Sequence, residues 1–167
     1  LSDSTGTEPG AERSMPVVHS EAGDSGYRYR YSAGRRTQSM DTEAFFQNMP
    51  FAEMLGVEIT EVADGHAAGR LEMRPELSWN EDRVMAHGGV TFTLADTVGG
   101  AALVSLVDQP VPTVDMRIDY LEAGTGDLYA EADVTRLGGD VGTVDVEVYA
   151  ADDDVHLADA RGVYKTG

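Results

Sequence analysis

Residues 85–107 read MAHGGVTFTLADTVGGAALVSLV, and the rest of the chain is organised around them. Between positions 90 and 107 the only charged residue is Asp96. A helix that is apolar on every side is normally a buried one. This one opens on His87-Gly88-Gly89. There glycine admits close approach to the backbone, and the first N–H groups of a helix have no partner within it. An ionised carboxylate in an apolar setting is costly unless something compensates it, so Asp96 is the first candidate for chemistry. The stretch is about as long as a membrane span, which takes ~20 residues. Asp96, Gly99, Gly100, several hydroxyls and the lack of basic flanks read instead as a core helix.

The composition narrows the partners. The 167 residues suffice for one domain with a real core. Net charge is −18, from 30 acidic and 12 basic residues, and Lys165 is the only lysine. Such an acid-rich, lysine-poor surface is the pattern of proteins from very salty cytoplasm, where high charge maintains solubility as salt screens repulsion. It argues against nucleic acid or an anionic membrane as partner. The absence of cysteine excludes disulfides, thiolate zinc sites and a cysteine nucleophile. His19, His66, His87 and His156 are scattered without metal-ligand spacing, so no metal is expected. No secretory or stop-transfer pattern stands out, and the default expectation is a cytoplasmic protein.

Residues 1–39 differ from the rest. They are rich in Ser, Gly, Thr and Pro, and their five acids are balanced by five arginines. The whole excess of negative charge therefore lies in residues 40–167. The first segment reads as a disordered tail or a mis-assigned start, with the domain at 40–167.

Within the domain, residues 40–55 look helical, with Asp41 or Thr42 as cap, Phe45, Phe46, Met49, Phe51, Met54 and Leu55 as apolar positions, and Gly56 as stop. Residues 57–63 alternate as a half-buried strand, Asp64-Gly65 is a hairpin turn signal, and residues 66–73 return. A polar connector, 74–86, leads into the helix. After it come strand patterns at 111–121, 128–135, 144–148 and 155–164, divided by turns at 124–127, 137–140 and 152–154. In the first of these Val114, Met116, Ile118 and Tyr120 share a face. The acidic turn Asp152-Asp153-Asp154 reads as solvated surface, since it lacks a calcium-loop pattern. The expected class is α+β: an antiparallel sheet with one long helix, whose second face is covered by the wrapping sheet or by another subunit.

HGGVTFTLADT resembles the central-helix motif of hotdog-fold acyl-CoA thioesterases of the phenylacetate-degradation (PaaI) type, which carry HGG and then an acid nine positions after the histidine. VPTVDMRIDYLEAGTGD is similar to the strand that the family places after the helix, and the likeness spans roughly residues 45–165. The resemblance implies that Asp96 is the catalytic acid, acting as general base or nucleophile towards the thioester. It implies that the Gly88 N–H holds the thioester oxygen, and that His87 and Gly89 shape or contact the site. Thr113 matches a hydroxyl position near the attacking water. Asn80 matches the asparagine before HGG, although it stands one residue further from the histidine than in relatives. The turn Arg136, Gly138, Gly139, Asp140 matches a coenzyme A contact. Relatives place a basic residue after the glycine there, so recognition of the phosphates either falls here to Arg136 or is weaker. No cofactor is implied beyond the coenzyme A of the substrate.

Thioester hydrolysis needs a base or nucleophile at the carbonyl carbon and preorganised donors for the oxyanion. A glycine-rich helix start supplies donors and a favourable dipole. Gly88 and Asp96 are eight residues apart, which at ~1.5 Å per residue is about 12 Å along one helix. One carbonyl cannot touch both. A second, antiparallel copy of the helix can bring its Asp96 beside the first Gly88, so a homodimer with two shared sites is expected. The resemblance extends this to a dimer of dimers.

Other readings compete. Asp96 could be a core carboxylate satisfied by Thr93, Thr97 or an arginine, His87 only a cap, and Gly99-Gly100 a packing device. The protein could be a non-catalytic acyl-CoA-binding or regulatory member of the same fold, or a hydratase of enoyl thioesters. An acid at position 96 favours the hydrolase over the first, and the lack of an Asp-to-His pairing counts against the second.

Overall fold

A computed structural model of the chain describes residues 17–23, 26–32, 49–80 and 82–167. Strands β1 (Val17–Gly23) and β2 (Gly26–Ser32) pair antiparallel in a two-stranded sheet of their own. Of the helix expected at 40–55, the described part is α1 (Pro50–Leu55); Asp41, Thr42, Phe45 and Phe46 lie outside the described residues. Gly56 closes α1 in the left-handed region, at φ 83°. Ala52 is buried beneath α1, while Phe51 and Met54 are exposed rather than part of an apolar interior.

The second sheet has six antiparallel strands. They are β3 (Val57–Ala63), β4 (His66–Leu71), β5 (Thr113–Tyr120), β6 (Leu128–Leu137), β7 (Val141–Ala150) and β8 (His156–Lys165), in the spatial order β3-β4-β6-β7-β8-β5. Asp64 and Gly65, at φ 47° and 86°, form the tight β3–β4 turn that right-handed strand twist favours. The sheet wraps α2 (Gly88–Val107), and 13 of its 20 residues are buried. The helix sits close because the strands present small residues to it. A Cβ on Gly69 would lie 2.8 Å from Val98 Cγ2, and one on Gly142 2.6 Å from Leu103 Cδ2. Fully buried Leu94, Val98, Leu103, Leu128, Val144, Val146 and Val148 fill the layer between helix and sheet. Residue packing of this kind contributes about 1.5 to 3 kcal/mol per large aliphatic side chain removed from water.

The outer face of the same sheet is of opposite character. One row across neighbouring strands reads Glu131, Glu147, Asp159, Asp119, each opposite the next. The adjacent row reads His66, Asp133, Asp145, Arg161, Arg117. Like charges directly opposite each other are unfavourable. Partial compensation comes from Arg161 Nε at 3.6 Å from Asp145 and Arg117 Nη2 at 3.0 Å from Asp119; His66 Nδ1 lies 3.1 Å from Asp133 and His156 Nε2 2.9 Å from Asp159.

Strand β5 departs from simple alternation. Thr113 pairs with Tyr164 but Asp115 pairs with Val163, so Val114 is an extra residue in the ladder. Alternation groups Val114 with Met116, Ile118 and Tyr120; instead the bulge turns Val114 out to 61% exposure. Thr113 is thereby carried onto the helix-facing side, opposite Tyr164.

Candidate active site

The bulge matters because it aims Thr113 at the helix. The Thr113 hydroxyl donates to Asp96 Oδ1 at 2.8 Å. Asp96 is half-buried, not fully enclosed, and lies on a stripe of α2 with Gly88, Gly89, Phe92 and Thr93 that keeps contact with solvent. The alternative partners do not hold it. Thr93 donates to Gly89 O at 2.8 Å and Thr97 to Thr93 O at 2.7 Å. No arginine pairs with Asp96 among the described residues. Behind the carboxylate, the Tyr164 hydroxyl donates to the Asp96 backbone oxygen at 3.1 Å. Burial, and then the negative charge of Asp96, push the Tyr164 hydroxyl far above the ordinary tyrosine range, so it remains a protonated donor. Gly99 makes room for that hydroxyl: a Cβ there would lie 2.5 Å from it. Gly99 therefore serves close packing, whereas a Cβ on Gly100 would meet only ordinary contacts, 3.8 Å from Tyr164 Cε1.

At the start of α2, His87 is the N-cap residue. Of the first four helical N–H groups, three are taken by this one residue. Gly89 N–H donates to His87 Nδ1 at 3.0 Å, and the N–H groups of Val90 and Thr91 donate to His87 O at 2.8 and 3.4 Å. The Gly88 N–H has no hydrogen-bond partner among the described residues. The peptide that carries it is anchored at its other end, the His87 carbonyl, which points down the helix. The free N–H therefore points outward, with the helix dipole behind it. The Tyr120 hydroxyl donates to Gly88 O at 2.7 Å, and burial raises its pKa.

The residues expected at the site divide into two groups. His87, Gly88, Gly89, Asp96 and Thr113 lie along the first half of α2. Asn80 is in the loop just before it, which is tied to the helix entry by the Ser78–Ala86 bridge. Its side-chain oxygen is occupied by the N–H groups of Asp82 and Arg83, at 2.7 and 3.0 Å. Arg136, Gly138 and Gly139 belong to the β6–β7 turn at the far end of the helix. Thr166 joins that turn, donating to Gly138 O at 3.1 Å, and Gln109, just past the helix C-terminus, donates to Thr166 O at 2.6 Å. Arg136 is exposed and makes no ion pair among the described residues, while a Cβ on Gly139 would meet nothing within 4 Å. A helix of 20 residues is about 30 Å long, so the two groups lie apart within one chain. Tyr120 and Tyr164 complete the first group, and no local sequence pattern marked them.

A hydroxyl-held carboxylate and one outward N–H donor on a helix start are the parts that acyl-transfer chemistry uses. A family model described as "Thioesterase superfamily" matches residues 85–156. A Halobacterium salinarum protein carrying the name of an esterase is 32% identical over 111 residues, covering 64% of this chain and 74% of its own. The medium/long-chain acyl-CoA thioesterase YigI of Salmonella typhimurium is 27% identical over 141 residues, 75% of this chain and 90% of that one. Among solved structures, the Escherichia coli PaaI protein of the phenylacetic acid degradation operon superposes with a TM-score of 0.67 at 27% identity, over 74% of this chain and 88% of that one.

Proposed function

Because the chain belongs to the thioesterase superfamily, as a hotdog-fold thioester hydrolase of PaaI type, we propose that it cleaves acyl-CoA thioesters at a site shared between two copies. The observation that carries this reading is the single unpaired donor, Gly88 N–H, on the same open stripe of α2 as the Thr113-held Asp96. In the general-base route, Asp96 takes a proton from water as its oxygen bonds to the thioester carbon. The oxyanion so formed rests on the Gly88 N–H. Its collapse breaks the C–S bond, and the departing thiolate receives the proton. In the alternative route Asp96 itself attacks the thioester carbon, the C–S bond breaks and the thiolate leaves to take a proton from solvent, and water then hydrolyses the resulting anhydride to free acid and carboxylate.

The separation of about 12 Å along one helix requires the donor and the acid of one site to come from different chains. The open stripe of α2 and the exposed edge strand β5 are the surfaces a second copy would cover. With a second helix antiparallel and its Asp96 beside Gly88, that helix would run about 16 Å past Gly88. Its β6–β7 turn, with Arg136, would then stand out beyond the thioester, and we place the coenzyme A phosphates on that side. On this arrangement the two groups of residues, apart in one chain, meet in one site. The relatives named acyl-CoA thioesterases support the substrate class.

The test is thioester hydrolysis of a panel of acyl-CoAs in molar potassium chloride, with Asp96→Asn alongside and the oligomeric state measured. Turnover by a dimer that disappears in the variant supports the reading. An active monomer would sink the shared site, and acyl-CoA binding without turnover would support a binding protein.

A further inference from the structure

We infer that Tyr120 is a positioning residue for the oxyanion donor, through a clamp on the peptide between Gly88 and Gly89; this rests on the proposed function above. That peptide is held at both ends by side chains. Its N–H donates to His87 Nδ1 at 3.0 Å, and its C=O accepts from the Tyr120 hydroxyl at 2.7 Å. The preceding peptide, which carries the Gly88 N–H, is held by its carbonyl through Val90 and Thr91. Gly88 thus joins two fixed peptide planes. Without a Cβ it has more backbone freedom than any other residue, and it is the residue whose N–H must not move. Preorganised donors are effective because they need no reorientation during reaction.

Tyr120 suits the task for three reasons. Its hydroxyl would be only 3.2 Å from a Cβ at Gly88, so the ring lies directly against that residue. It comes from β5, which is paired with β8 and therefore supplies a rigid mount independent of the helix. Finally, β5 carries both Thr113 and Tyr120. One strand therefore locates the acid at one end and the donor at the other, seven residues apart. The His87 contact also fixes a chemical state: to accept from Gly89, Nδ1 must be unprotonated.

The test compares Tyr120→Phe, Tyr120→Leu and Asp96→Asn with the unaltered protein in molar potassium chloride. Amide hydrogen exchange at Gly89 reads the clamp without any need for activity, and steady-state kinetics read its consequence. In Tyr120→Phe the Gly89 amide should exchange about tenfold faster. Its kcat should fall about tenfold with KM changed less than twofold, because the thioester is bound as before and only its transition state is misaligned. Tyr120→Leu should lose more and raise KM as well. Unchanged exchange at Gly89 in Tyr120→Phe overturns the clamp whatever the kinetics show. Faster exchange with unchanged kcat overturns its role in positioning. Full activity in Asp96→Asn would instead remove the proposed site, an outcome distinct from either.

Discussion

From Thr97 to Ser105 every residue of α2 is buried, whereas between Gly88 and Asp96 five positions keep solvent contact. The first half of the helix carries free donor capacity, hydroxyls and the one charge. The second half carries small residues and aliphatics that lock it to the sheet. The sheet shows the same division: the strand beside the first half is bulged and half-exposed, while β6 and β7, which meet Gly99 through Val146 and Leu103 through Gly142, are filled with Val and Ala. A continuous apolar helix can thus have one half held rigidly so that the other can present chemistry at a fixed place. Sites on rigid elements hold their geometry better than sites on loops.

This contrast can be broken from either side. The largest expected effect is on the open half: Asp96→Asn should lower kcat/KM about 100-fold or more while the melting temperature stays within a few degrees. A matching loss of stability would mean that the acid is structural. On the locked half, Gly99→Ala should cost about 1 to 3 kcal/mol in denaturant unfolding, because the new methyl meets the Tyr164 hydroxyl. The pair Gly99→Ala with Tyr164→Phe should recover at least half of that. No recovery would show that another contact sets the cost. Thr113→Val should reduce turnover about tenfold by removing a hydrogen bond to a charged group, with binding little changed. If turnover were untouched, the Thr113 hydroxyl would have no role in holding the acid for catalysis.

The smallest effect is on alkaline stability. Burial first, then its hydrogen bond to Glu131 and the negative charge there, push Tyr129 up from the usual tyrosine value to about 12. Tyr120, Tyr149 and Tyr164 are raised too, with burial the leading cause in each. A group whose pKa is higher folded than unfolded binds its proton more tightly in the native state. Stability intact below pH ~10 should therefore decline as pH rises towards 12, more steeply than in Tyr129→Phe. Parallel slopes for the two proteins would remove Tyr129 as a contributor.

The helix, the strands and the α+β class were legible because they are encoded in local periodicity: 18 residues with one charge, and Val144, Val146, Val148 at alternate positions. Asp96 and Gly88 were legible because an acid and a glycine pair are rare in such a setting. Thr113 was placed by resemblance, whereas strict alternation would have turned it away from the helix. Only the unpaired Val114 reverses that, and a bulge leaves no mark in periodicity. Tyr120 and Tyr164 were missed for a related reason. Their hydroxyls reach residues 32 and 68 positions away, so the contacts depend on strand order and register rather than on any neighbouring residue.

The outer rows of carboxylates bear on how a substrate arrives. Coenzyme A carries phosphates, and a chain of net charge −18 repels them at long range. The repulsion is strongest over the face holding Glu131, Glu147, Asp159 and Asp119. From Gly88 to Ala95 the start of α2 carries no charged side chain, and Arg136 is the exposed cation of the β6–β7 turn. A phosphate-bearing substrate that approaches there meets fewer carboxylates than over the outer rows. Added salt, which slows association between opposite charges, would quicken encounter here.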